Sequence, residues 1–128
     1  MVQQVTSGIK ISVETHFEGT FYKSNTLHFA FAYKVTIENQ SKDAVQLNSR
    51  YWKILDALNN KEIVKGNGVI GKKPVLKPGE SHSYTSGCLL ASPFGAMQGH
   101  YNMVNFTTTQ NFKVYIPCFK LSAPFALN

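Results

Sequence analysis

The chain has 128 residues, 43% of them hydrophobic and 16% charged, a balance that suits one folded globule and excludes a disordered or low-complexity chain. Its formal net charge of +6 is carried by lysine, with Arg50 as the only arginine. Base readout and bidentate phosphate clamps favour the planar guanidinium, so the charge reads as diffuse anion attraction and no nucleic-acid partner is expected. No apolar run reaches the length of a membrane span, and Met1 to Lys10 holds no apolar signal core. The expectation is a cytoplasmic protein with no membrane span.

Nine Phe and six Tyr lean the composition toward sheet, because aromatic side chains suit a pleated, half-buried surface. Ile9, Ile11 and Val13 alternate with Lys10, Ser12 and Glu14, which predicts a first strand. From Thr26 to Asn39 the alternation is strict: Leu27, Phe29, Phe31, Tyr33, Val35 and Ile37 fall on one face. A helix would scatter those residues around its circumference. Asn39 to Asp43 is turn chemistry. Val45 to Leu58 is a third extended segment with the only tryptophan, Trp52. Asn59-Asn60 predicts a tight hairpin into Glu62-Ile63-Val64, since asparagine tolerates positive φ.

A glycine loop follows, with Gly66, Gly68 and Gly71 at the spacing of a dinucleotide fingerprint. That fingerprint needs a strand before it and a helix behind it, and Pro74 and Pro78 exclude the helix. Lys77 to Glu80 reads as a turn. His82 to Leu90 is a strand, Ser92 to Gly95 a loop, and His100 to Thr107 and Phe112 to Leu121 the last two strands. No amphipathic helix and no repeat is found. Short strands at regular turn spacing predict an all-β fold, an immunoglobulin/fibronectin type III-like antiparallel two-sheet β-sandwich spanning 1–128 as a single domain.

Arg50-Tyr51-Trp52, the glycine loop, Tyr84-Thr85-Ser86-Gly87, the series Pro93, Gly95, Met97, Gly99 and Tyr101, and Ile116-Pro117-Cys118-Phe119 together resemble the ApaG family, also called CorD. The resemblance covers nearly the whole chain and implies a fibronectin type III-like sandwich. It also implies a link to cobalt and magnesium tolerance or efflux. Related domains fused to F-box and polymerase-associated proteins imply protein interaction. Two departures stand out. Tyr51 replaces the family's usual histidine, and Lys72-Lys73 replaces a segment that is commonly acidic or glutamine-containing. Both disfavour a bare divalent cation and the second favours an anion.

The candidate ligand-binding residues are Gly66, Gly68, Gly71, Lys72, Lys73 and Arg50. In the functional reading, backbone N–H groups and lysines cradle phosphate or pyrophosphate. In the competing reading, which weighs more without a helix dipole, the glycines supply positive φ or close packing. Arg50 reads either as a structural ion pair, with Asp56 for example, or as an anion anchor. Trp52, Tyr84 and Tyr101 read as core residues, and Cys88 and Cys118 as reduced, buried thiols. His16, His28, His82 and His100 are scattered and the seven acidic residues are unclustered, so neither a metal site nor a cofactor is expected. His82 and Ser86 share a strand face but lie roughly 13 Å apart, which removes them from any catalytic set with Cys88 and Asp56. The leading reading is a non-enzymatic binding or adaptor module with an unknown protein partner. The alternatives are a nucleotide- or pyrophosphate-binding phosphohydrolase, and a purely protein-interaction domain using a sheet edge. Exposed edges also leave a dimer open.

Overall fold

The structure is a computed structural model that describes residues 1–58 and 60–124. Nine strands follow one another: β1 (Val2–Thr6), β2 (Ile9–Lys23), β3 (Thr26–Asn39), β4 (Val45–Asp56), β5 (Lys61–Asn67), β6 (Val75–Leu76), β7 (Ser81–Leu90), β8 (Phe94–Asn105) and β9 (Asn111–Ser122). They form two antiparallel sheets, one in the order β1-β2-β3-β7 and the other β5-β4-β8-β9, with β6 beside β4. The two-sheet antiparallel sandwich expected from the alternation is the fold that forms.

The inward faces meet in one core. Ile9, Ile11, Val13, Phe29, Phe31, Tyr33, Val35 and Ile37 come from the first sheet, and Leu47, Trp52, Met97, Tyr101, Met103, Val114, Ile116 and Phe119 from the second. Trp52 sits at its centre, with ring centroids 5.3 Å from Tyr33, 5.9 Å from Phe119 and 6.5 Å from Tyr101. Offset and edge-on ring geometries of this kind add to the gain from burial itself.

Several boundaries differ from the sequence reading, each for a local reason. β1 was not anticipated. It pairs with β2 through the two-residue turn Ser7-Gly8, both at positive φ (50° and 80°). β2 runs on to Lys23, ten residues past Val13, because a bulge between Phe17 and Gly19 breaks the alternation in sequence but not the ladder. Its far end closes through Ser24-Asn25, again both at positive φ. Phe94 and Gly95, expected in a loop, open β8. The turn expected at Asn59-Asn60 involves a residue outside the described ones. The expected turn at 39–43 is built around the buried Asn39. Its side-chain amide donates to the Asp43 and Leu76 carbonyls at 2.8 and 2.9 Å, while its oxygen accepts from the Ser41 N–H at 2.9 Å.

The two long sides of the sandwich are unlike. On one side β1 leans on β9, and the Tyr115 N–H donates to the Thr6 hydroxyl at 3.3 Å. On the other side the edges of β5 and β7 face each other without a strand between them.

Candidate functional site

That open side holds a cleft of about 510 Å³. Its walls are the inward residues of β7 (Ser86 and Cys88) and of β4 and β5 (Arg50, Trp52, Ile54, Glu62 and Val64), with Tyr33 at the back and Lys23 and His28 at one end. The inward parity of Arg50 follows from strand period two: it shares the face of Trp52 and Ile54.

The Arg50 guanidinium is fixed by the glycine segment. Nη1 donates to the carbonyls of Asn67 at 3.1 Å and Gly68 at 2.8 Å. Gly66 lies opposite Arg50 in the β4/β5 register, and a Cβ there would stand 2.7 Å from Nη2. Arg50 does not pair with Asp56. The carboxylate of Asp56 instead accepts from the Leu58 and Asn60 N–H groups at 2.9 and 3.3 Å, at the far end of β4. Among the described residues no carboxylate forms an ion pair with Arg50, and carbonyls satisfy only one of its nitrogens. Its charge is felt by three neighbouring hydroxyls, those of Tyr33, Tyr84 and Tyr101, where it opposes the upward push of burial on each pKa. Tyr84 and Tyr101 hydrogen-bond to each other through their hydroxyls. Tyr101 is fully buried and Tyr84 half-buried against the core.

The three glycines are not equivalent. Gly66 belongs to β5 rather than to a loop, and its missing side chain is the seat of Arg50. Gly68 has φ +61 and its absent Cβ would stand 2.1 Å from the Lys72 carbonyl oxygen. Ile70 and Gly71 (φ 48° and 70°) are the two central residues of a tight turn closed by Val69 N–H to Lys72 O at 2.7 Å and Lys72 N–H to Val69 O at 3.0 Å. The Gly68 N–H is taken by the Asn48 carbonyl at 2.8 Å. The backbone donors of Val69 and Lys72 are therefore spent on each other and that of Gly68 on β4, which removes these three from any anion cradle. Lys72 and Lys73 are exposed, and the charge of Lys72 lowers the pKa of His82 on β7 after burial has done so. Neither lysine nor His82 is among the residues lining the cleft.

In the cleft wall Glu62 and Cys88 are neighbours. Burial first, then the Glu62 charge, pushes the Cys88 thiol up to about 11. Cys118, expected to be buried, is exposed on β9, and Cys88 is only half-buried; both are free thiols. The bulge between Met97 and Gly99 places two residues of β9, Pro117 and Cys118, against Gln98, which turns Cys118 outward in a stretch that reads as apolar.

The outer face of the second sheet carries an arrangement invisible in the linear sequence. Lys65, Tyr51, His100 and Tyr115 are cross-strand partners in one row across β5, β4, β8 and β9. Tyr51 and His100 stack at 5.0 Å with 12° between planes, Lys65 lies 5.7 Å over Tyr51, and Tyr115 meets His100 edge-on at 6.2 Å. Tyr51 is thus covered by His100 and Lys65, while Tyr115 at the end of the row remains about half exposed. Burial and then Lys113 lower the His100 pKa. No three of His, Cys, Asp and Glu gather as a metal-ligand set among the described residues, and no described helix is long and apolar enough to cross a membrane.

Comparison with known proteins gives a consistent result. The family model described as the ApaG domain matches residues 19–105. The chain is 43% identical over 124 residues to Protein ApaG of Methylobacterium sp. (strain 4-46), covering 97% of this chain and 95% of that one. It is 44% identical over 126 residues to Protein ApaG of Beijerinckia indica, covering 98% and 96%. A Bordetella pertussis crystal structure described as an ApaA protein superposes with a TM-score of 0.81 at 35% identity, covering 91% of this chain and 94% of that one.

Proposed function

The chain belongs to the ApaG domain family, and from that premise we propose that it is a non-catalytic binding module whose ligand presents an anionic group to Arg50 in the cleft between β5 and β7. The observation that carries this reading is the state of Arg50. It is the only arginine, it is held in place by two carbonyls and by the space over Gly66, and it faces a cleft with no carboxylate bound to it. A guanidinium fixed in this way has lost little further freedom when an anion arrives, so each hydrogen bond formed counts for more. Lys72 and Lys73 raise the local positive potential and speed the approach of an anion.

The same charge distribution repels a bare divalent cation. A part in cobalt or magnesium tolerance, as the resemblance implies, is accordingly assigned to an adaptor that works through a bound partner, not to a carrier of the ion. A reducing compartment, the cytoplasm, suits a chain whose two thiols stand unpaired.

The test is an amide- and guanidinium-resolved NMR titration of the labelled protein with pyrophosphate and with phosphate, each with and without magnesium. Saturable shifts at the Arg50 Nε–H and at Gly66 to Lys73, lost in Arg50→Gln, are expected. Shifts that spread evenly over surface lysines and survive Arg50→Gln would sink the reading.

A further inference from the structure

A sheet edge is a row of unpaired N–H and C=O groups, and proteins guard such edges with lysine, proline, bulges or a covering segment. Three of the four edges here are guarded. β1 is only five residues long and leans on β9. β9 carries Lys113, Pro117 and Lys120 and is covered by β1 in return. β5 carries Lys61, Glu62 and Lys65. β7 has none of these devices. Ser-His-Ser-Tyr-Thr-Ser-Gly-Cys-Leu-Leu contains no Lys, Arg, Asp, Glu or Pro. All ten of its residues pair with β3 from Ser81↔Glu38 to Leu90↔Phe29 without a register shift. It is a straight edge roughly 33 Å long, and among the described residues no strand pairs with its other side.

The position of this edge says what sits on it. β7 forms one lip of the cleft, and Ser86 and Cys88 point into it. A strand added to β7 would lie about 4.8 Å further out, over the cleft mouth, and every second side chain would point inward. Lys23, Arg50 and Glu62 are the Lys, Arg, Asp or Glu residues lining the cleft, and among the described residues no carboxylate is bonded to Arg50, which carbonyls hold in place.

We propose that the free edge of β7 is a strand-addition site for an extended peptide that lowers one carboxylate side chain, Asp or Glu, onto Arg50. Backbone bonds to β7 supply affinity that is indifferent to sequence, and the Arg50 contact selects the acidic residue and sets the register. The proposal rests on the reading of Arg50 as an anion anchor and adds the class of ligand.

The experiment is a selection of displayed random nonapeptides against the whole labelled protein. The enriched peptides are then synthesised with blocked ends, mapped by amide hydrogen exchange, and compared with their Gln and Asn isosteres. The expected result is enrichment of a single acidic position flanked by β-branched residues. Exchange protection should fall on β7 amides, and the isostere should lose roughly tenfold or more in affinity. Arg50→Gln should abolish that discrimination. The isostere comparison uses the unaltered protein, so it stands even if the variant unfolds. Failure to enrich any peptide, or protection elsewhere than β7, overturns strand addition; pyrophosphate shifts at Arg50 in the same protein would then show that the anion reading survives alone. Peptides on β7 without acidic preference overturn the assigned chemistry, and the pyrophosphate titration then decides the Arg50 reading separately. A concentration-dependent dimer with β7 protected assigns the edge to a second copy and overturns the peptide as its occupant.

Discussion

The Arg50 guanidinium occupies the space that a side chain at residue 66 would need: a Cβ on Gly66 would lie 2.7 Å from Nη2 and 2.8 Å from Cζ. Strand pairing brings the two residues opposite each other across β4 and β5, so the glycine is in effect part of the arginine's binding seat. Gly66→Ala should move the guanidinium off the Asn67 and Gly68 carbonyls. The expected cost is about 1–2 kcal/mol, because the obstructing atoms end a flexible side chain, and the pyrophosphate response should disappear. Gly68→Ala meets backbone, the Lys72 carbonyl oxygen at 2.1 Å, at φ +61. Its cost should be larger, about 3 kcal/mol. Urea midpoints of the two variants must rank in that order.

Ile70 is a β-branched residue at φ +48 in the first central position of a two-residue turn, with its side chain 60% exposed. Nothing buried compensates for that backbone. Ile70→Asn places a residue that tolerates this region beside Gly71 and should stabilise the protein by about 1 kcal/mol. A thermal melt that fails to rise would show that the Ile70 side chain contributes more than the strain costs.

Tyr101 is fully buried, and its hydroxyl bonds to that of Tyr84. Tyr84→Phe strands the Tyr101 hydroxyl without its partner and should cost about 1–3 kcal/mol. Removing both hydroxyls should cost less than the sum of the single changes, a coupling that a double-mutant cycle measures directly.

Stability should form a plateau in pH. Burial, then Lys72 and Lys113 respectively, lowers the pKa of His82 and His100 below 6.5. A group with a depressed folded pKa contributes stability above its unfolded pKa and loses it as pH falls through the folded one, so unfolding should ease below about 6.5. Burial raises Tyr33, Tyr84 and Tyr101 above 10.0. Their contribution is complete below the unfolded pKa and declines as pH climbs past about 10. Urea midpoints across this range check both flanks, and His82→Gln with His100→Gln should flatten the acid one.

The two thiols should separate chemically. Cys118 is exposed, whereas the Cys88 thiol is half-buried and pushed up to about 11, which leaves a thiolate fraction of about one in a thousand at pH 8. Alkylation should modify Cys118 first and Cys88, half-buried in the cleft wall, far more slowly. Equal rates at both would contradict the burial of Cys88 beside Glu62.

Much of the fold was legible because one face of each long strand is apolar: β3 was bounded correctly from Thr26 to Asn39, and Trp52 was rightly placed in the core. What hid from the sequence was whatever a bulge displaced. The Phe17/Gly19 bulge concealed half of β2, and the Met97/Gly99 bulge concealed the outward turn of Cys118. Ser7-Gly8 is a two-residue hairpin turn whose signal is present in the sequence. In the candidate site, the residue types of the glycine segment were visible but not their division of labour. Nothing in the spacing says that Gly66 seats an arginine sixteen positions away while Ile70-Gly71 merely turns the chain, because that depends on the β4/β5 register. The row of Lys65, Tyr51, His100 and Tyr115 draws on four strands and leaves no linear trace.

The two long sides of the sandwich make the molecule resemble a book, with its spine where β1 leans on β9 and its opening at β5 and β7. Among the described residues no ladder bond crosses the opening, whereas the spine is tied by the Tyr115 N–H to the Thr6 hydroxyl. A ligand held by Arg50 and the β7 edge together, as proposed above, would join the two sheets at the side where their own ladders do not.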